Sequence, residues 1–392
     1  MGALLIMPSA SETVAHATRE DLNFNTAREW KAAKAGRKVV GYMPIYVPRE
    51  IIHAADMLPL GVLGGGDQLE VIHGDAYYQS YICRIPRSTV ELGVSGRLDF
   101  VDGMLFPSIC DVIRNLSGMW KIMFPQVYVR YFDVPQNYRD EIGGNYYIQE
   151  LAELRHDLET LRGKPITDDE LRNSIALYDE NRRLVCEIYA FRAEQPWQAP
   201  GGRSLSDHAR RARSFGRAAH RYAAQLPHRR PRRGAAAPRQ LPHRAHRRVL
   251  RTAAAQSDQV AGTRRLLRGR QQPASGHALA HRRATEGDPI RNLALAFLRH
   301  SESTAAKYEP DLKEKGQHLV RAVKRSNAEG VIFACPSFCD PALLDRPMLQ
   351  HVLAEAGVSY IAFKYAENSG QMQPIREQAG TFADSIKLWS GA

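Results

Sequence analysis

Between residues 38 and 132, short apolar runs alternate with amphipathic helical stretches, and that alternation leaves few folds open to the chain. Lys38-Val-Val-Gly-Tyr-Met-Pro-Ile45 reads as a buried strand. The stretch 48–57 follows as a helix, with Pro48 at its start and Ile51, Ile52, Ala55 and Leu58 on one face. Leu60-Gly-Val-Leu63 is a second short strand. The unit then repeats as a helix over 88–98, a strand over 100–106, a helix over 110–124 and a strand over 126–132. Strands separated by helices predict a parallel sheet with helices on its faces, because a parallel connection must cross over the sheet.

The texture changes from 146 to 195 into long, charged helical sequence, broken at Gly163-Lys-Pro165. Its second piece opens on Thr167-Asp-Asp-Glu170, a capping box in which the Thr hydroxyl and the Glu carboxylate each satisfy an orphan backbone donor. Strand and helix order resumes near the C-terminus: helix 316–326, strand 330–335, helix 341–357, strand 358–364 and a last helix over 374–389. The fold class expected is α/β, with two doubly wound parallel-sheet halves joined by helices. The expected domains are an N-terminal helical segment 1–37, a first α/β domain 38–145, a helical linker 146–200, an Arg-rich segment 201–286, and the remainder of a second α/β domain over 287–392.

The segment from Gly201 to Thr285 does not belong with its surroundings. It holds 21 Arg, no Lys and two acids (Asp207, Asp258), a net +19. The whole chain carries +12, so the other 307 residues sum to −7. The segment has 18 Ala and seven His, two aromatics (Phe215, Tyr222) and no Ile, Met, Cys or Trp, too little apolar surface to offset the entropy of ordering. One reading is a nucleic-acid arm, since each Arg near a phosphate adds counterion-release affinity. The other is a GC-rich gene read out of frame. With suitable codons, a one-nucleotide offset turns 203–214 into a credible buried helix and 248–259 into a strand exit and helix start beginning Ala-Phe-Cys-Glu-Gln-Pro-Pro-Leu. Two distant windows agree on one offset, and the segment is read as a frameshift.

Several classes are excluded on simpler grounds. The longest apolar runs, such as Gly330-Val-Ile-Phe-Ala-Cys335, fall far short of the roughly 18–20 residues of a membrane span. The apolar start Met1-Gly-Ala-Leu-Leu-Ile-Met7 lacks a basic n-region and is too short for a secretory signal, so a cytoplasmic location with no membrane partner is expected. Five cysteines, an odd number, argue against a disulfide framework and leave metal ligation, redox chemistry or burial. There is no Walker A motif, and Gly64-Gly-Gly66 is not a dinucleotide fingerprint.

Four of the cysteines sit where loops leave strands: Cys83 ahead of a helix, Cys110 between a strand and a helix, and Cys335 and Cys339 around Pro336-Ser-Phe338. Ligands of open α/β sheets collect at the carboxyl ends of strands, and helix N-termini there favour thiolates. Cys186, inside a helix, reads as a buried structural residue. Cys335-x3-Cys339 has no second pair to complete a zinc site, and widely spaced thiolates converging from two domains fit an iron–sulfur cluster better. His53 and His73 read as structural; His73 precedes a Tyr-rich loop, Gly74-Asp-Ala-Tyr-Tyr-Gln-Ser-Tyr81. No residue is assigned a catalytic proton-transfer role.

Gly41-Tyr-Met-Pro-Ile-Tyr-Val-Pro-Arg-Glu-Ile-Ile-His-Ala-Ala-Asp-Met-Leu-Pro59, Cys83, Cys110-Asp111 and Phe338-Cys-Asp-Pro341 resemble the 2-hydroxyacyl-CoA dehydratase D-component family. The likeness covers about 20–200 and 287–392, and the offset frame of 248–259 also resembles the family. It implies two Rossmann-like domains holding a [4Fe-4S] cluster through Cys83, Cys110 and Cys339, with Cys335 adjacent but off the motif. Within the family the likeness is closest to members that reduce the ring of benzoyl-CoA. That implies a heterotetramer with a larger homologous subunit and two ATP-binding subunits, driven by reduced ferredoxin, with benzoyl-CoA as substrate and no nucleic acid as partner. A sister dehydratase subunit and a nucleic-acid-binding protein remain as alternatives.

Overall fold

The computed structural model describes residues 24–43, 45–66, 69–194, 248–252, 287–301, 307–308, 315–326, 328–366 and 372–389. Four parallel strands make the first sheet: β1 (Val39–Tyr42), β2 (Leu58–Gly61), β3 (Gly103–Pro107) and β4 (Tyr128–Phe132), in the spatial order β2-β1-β3-β4. Gly41 stands opposite Leu60 on one side and Met104 on the other. From β1 the chain steps outward to β2, then returns past β1 to β3 and onward to β4. The direction of travel reverses at β1. Right-handed crossovers therefore put the connecting helices on opposite faces.

Side chains along a strand alternate between faces, and each face has its own core. Val39, Met43, Met104 and Phe106 pack with α1 (Asn25–Ala32), α3 (Arg84–Val94) and α4 (Asp111–Met123) through Ala27, Val90 and Leu116. Val40, Tyr42, Leu105 and Phe132 pack on the other face with Ile51 and Ile52 of α2 (Arg49–Ala54). They meet Leu151 and Leu154 of α5 (Asn145–Arg162), Ile175 of α6 (Asp168–Glu194) and Ala294 of α7 (Pro289–His300) there. Helix α7 follows the Arg-rich segment in sequence yet lies in the core of the first half.

The second sheet holds β5 (Arg248–Thr252), β6 (Ala328–Pro336) and β7 (Ser359–Tyr365), parallel and in that order. Val331 and Phe333 face α8 (Gln317–Ser326) and α9 (Asp340–Glu355), while Ile332, Ala334 and Phe363 face α10 (Met372–Trp389). Both halves are thus mixed α/β with parallel sheets, as the alternation predicts. Of the Arg-rich segment, only Arg248–Thr252 lies within the described residues, as a strand paired with β6. The frameshift and nucleic-acid-arm readings rest on residues outside them. Among the described residues, no helix is long and apolar enough to cross a membrane.

Element boundaries shift in places. Helix α3 starts at Arg84, not 88, because Pro86 falls in its first turn, where a missing N–H costs no helical hydrogen bond. Strand β6 runs nine residues from Ala328, two earlier than its apolar run suggests. Helix α7 is an addition, started by Asp288, whose carboxylate accepts the Ile290 N–H at 2.9 Å, with Pro289 as first helical residue.

Candidate metal centre

In a parallel sheet every strand delivers the chain to a helix N-terminus at the carboxyl edge, and the three predicted ligand cysteines all occupy that position. Cys83 is the N-cap residue of α3, Cys110 that of α4 directly after β3, and Cys339 that of α9 after β6. An N-cap residue faces the unsatisfied amide N–H groups of the first turn, which carry partial positive charge. First-turn amides act on two of the three. Burial pushes the Cys110 thiol pKa up, and the Ile113 and Val112 amides pull against it. Burial pushes Cys339 up to about 11, with the Ala342 amide opposing and Cys110, Cys335 and Asp340 adding.

Those electrostatic partners cross between the two halves. Cys110, from the first half, acts on Cys339 and feels Asp340, both from the second. Tyr78 carries the link to Cys83: burial, then Cys83 and Cys110, raise its phenol pKa. The described cysteines form no disulfide. Cys335 is fully buried on the α8–α9 face of β6, with Sγ 3.9 Å from the Ala342 carbonyl oxygen, a thiol behaving as a core residue. Cys186 falls in α6, its side chain outside the described set.

As a donor set, three thiols at helix N-termini suit an iron–sulfur cluster, which takes thiolate ligands and benefits from nearby amides. Among the described residues, no group of three or more His, Cys, Asp and Glu stands close enough to hold a metal ion.

The loop around Cys339 is strained. Phe338, immediately before it, has a left-handed backbone (φ 63°) that costs a side-chain-bearing residue about 1–3 kcal/mol, and its ring is 52% exposed. The turn is held by Ser337 N–H to the Tyr365 carbonyl (2.7 Å) and Cys339 N–H to the Pro336 carbonyl (3.2 Å).

The approach to Cys83 is held by Glu91. Its side chain is 6% exposed, and its carboxylate accepts the N–H groups of Ile72 (2.9 Å), His73 (2.7 Å) and Gly74 (2.9 Å), with His73 Nδ1 3.1 Å away. Burial alone would raise its pKa; the amides of Gly74, Ile72 and His73 and the His73 side chain outweigh burial and hold it low. Gly74 lies so close to α3 that a Cβ there would stand 2.1 Å from the Arg87 carbonyl oxygen. His73 is therefore a partner of Glu91, and His53 is bonded through Nδ1 to Ser174 Oγ at 2.9 Å on the opposite face of the sheet. Gly64 has φ 74°, and a Cβ on it would meet Ser88 Oγ at 2.4 Å, so the triple glycine serves close packing on α3. Sequence reasoning missed Glu91; its one trace is an acid on the apolar face of a helix, three residues after Ser88.

The chain thus carries two parallel sheets and cysteines at three helix N-termini. It belongs to the 2-hydroxyglutaryl-CoA dehydratase D-component family, whose model matches residues 44–386. A benzoyl-CoA reductase subunit of Thauera aromatica is 56% identical over 388 residues, covering 95% of this chain and 96% of that protein. The (R)-phenyllactyl-CoA dehydratase beta subunit of Clostridium sporogenes is 26% identical over 90% of this chain and 93% of its own length. The beta subunit of (R)-2-hydroxyglutaryl-CoA dehydratase from Acidaminococcus fermentans is likewise 26% identical over 90% and 93%. Each is a subunit of a larger enzyme, and the chain is an enzyme subunit of this reductase and dehydratase family.

Proposed function

We propose that this chain is the corresponding subunit of a benzoyl-CoA reductase, which reduces the aromatic ring of benzoyl-CoA to a cyclohexadiene-1-carbonyl-CoA at the expense of ATP, with reduced ferredoxin as donor. The observation that carries the reading is 56% identity over 95% of the chain to a benzoyl-CoA reductase subunit, against 26% to the dehydratase subunits. Its partners would be a larger homologous subunit and two ATP-binding subunits.

Cys83, Cys110 and Cys339 would hold a [4Fe-4S] cluster. When bound, that group supplies single electrons at low potential. The chain's own contribution is to bring three thiols to helix N-termini, where backbone dipoles favour their anionic form, with Cys339 buried and Cys83 and Cys110 partly so. Burial raises Cys110 and Cys339, so ligation must displace their protons, and cluster assembly is expected to release protons. The substrate supplies its own activation, because the thioester carbonyl accepts charge as the ring is reduced.

The test is turnover by the anaerobically purified complex with ATP and reduced ferredoxin, offering benzoyl-CoA and a 2-hydroxyacyl-CoA in separate reactions. Conversion of benzoyl-CoA to the diene is expected. Dehydration of the hydroxyacyl-CoA with benzoyl-CoA untouched would replace this reading with the dehydratase one.

A further inference from the structure

The Tyr78 hydroxyl is unaccounted for. Its oxygen is shielded from solvent and has no hydrogen-bond partner, while the rest of the ring packs against the core of the first sheet. A buried phenol without a partner bears the desolvation cost of its O–H uncompensated, so such groups are normally paired. Two thiols, Cys83 and Cys110, lie within electrostatic reach of it, one on each adjoining helix N-terminus.

The ring's position is also enforced from outside. Tyr78 follows the turn Gly74–Tyr77, and that turn is fixed at its start by the three amide hydrogen bonds to Glu91 and by the close approach of Gly74 to Arg87. Glu91 and Cys83 belong to the same helix, α3, as interior residue and N-cap. The carboxylate thus ties the tyrosine loop to the element that presents a thiol. Neighbouring Tyr77 and Tyr81 are 47% and 61% exposed, so Tyr78 is the member of the tyrosine loop turned inward.

We infer that Tyr78 is a positioning and tuning residue whose hydroxyl donates a hydrogen bond to sulfur of the cluster held by Cys83 and Cys110. The inference rests on the cluster assignment made above. A donor to cluster sulfur stabilises the more negative, reduced form, so it raises the reduction potential. No proton is transferred and no bond is broken.

The experiment uses the full complex purified anaerobically, as wild type, Tyr78→Phe and Tyr78→His, with iron and sulfide analysis and a redox titration followed by electron paramagnetic resonance. Tyr78→Phe removes the donor and keeps the ring. Its cluster is expected at full occupancy with the reduction equilibrium at least tenfold less favourable, about 59 mV more negative for one electron, and Tyr78→His is expected to recover part of the shift. A folded Tyr78→Phe that loses the cluster while Tyr78→His retains it carries the same meaning. An unchanged potential in Tyr78→Phe overturns the inference, as does cluster loss in both variants, which would mark Tyr78 as packing alone. Wild-type complex in which this chain holds no iron or sulfide would overturn the cluster assignment itself, and this inference with it.

Discussion

Glu91 shows what a single side chain does for this site. Three backbone donors converge on one buried carboxylate, and nothing else among the described residues takes their place. Glu91→Ala removes the acceptor of one buried and two part-buried amides and is expected to cost about 1–3 kcal/mol, read by urea unfolding of the purified chain, with the 72–78 loop gaining hydrogen exchange. An unchanged midpoint would show that the loop is held by packing instead. Glu170 offers a pH test. The hydrogen bond and charge of Arg162, and the Thr167 hydrogen bonds, draw its pKa from 4.5 to about 2. A carboxylate lowered on folding stabilises above its unfolded pKa and loses that contribution as pH falls through the folded one. The stability difference between wild type and Glu170→Gln is therefore expected to be present at pH 6 and to shrink between about pH 4.5 and 2. A difference independent of pH would contradict it. At this scale strand and helix order put Cys110 and Cys339 at helix starts and Cys83 ahead of one, while the choice of these three over Cys335 came from the family resemblance. Glu91 and Tyr78 were not legible, because their burial depends on a loop folding back onto α3, which no local pattern encodes.

Among elements, legibility followed the strength of the local signal. The capping box at Thr167 is formed as the sequence predicts, with Glu170 N–H to Thr167 Oγ1 at 3.2 Å and Thr167 N–H to Glu170 Oε2 at 2.8 Å. Thr167→Ala should cost about 1 kcal/mol in unfolding experiments, and a neutral result would mean that packing of Leu171 and Ile175 alone starts α6. Buried strands were found within a few residues, since parallel strands covered on both faces read as continuous apolar runs. Helix α3 begins four residues before the expected 88, with Pro86 in its first turn, where a proline is compatible with a helix. Helix α7 had a readable start in Asp288-Pro289, but its docking against α5 is a long-range fact. Leu298→Ala, a 6% exposed residue of that interface, is expected to destabilise the first half by about 2–5 kcal/mol. Thermal unfolding unchanged from wild type would place α7 outside that core.

For the molecule as a whole, the charge of +12 is unevenly spread. The segment 201–285 carries +19 and the other 307 residues −7, while the family model spans 44–386 with that segment included. Sequencing the gene from independent isolates is expected to reveal compensating insertions or deletions between codons 195 and 290; one uninterrupted frame throughout would contradict that. The same whole-molecule view explains why thiols so far apart in sequence can serve one site. Cys83 and Cys110 lie at helix starts of the first half and Cys339 at one of the second, and Cys110 and Cys339 act electrostatically on each other. The measurement that bears most directly on the central claim is iron and sulfide content of the anaerobically purified chain in its complex, for wild type and for single Cys→Ala variants. The expected result is roughly four irons and four sulfides on this chain, lost in Cys83→Ala, Cys110→Ala and Cys339→Ala and retained in Cys335→Ala. Full loading of this chain in any of the first three variants, or its loss in Cys335→Ala alone, would contradict the account.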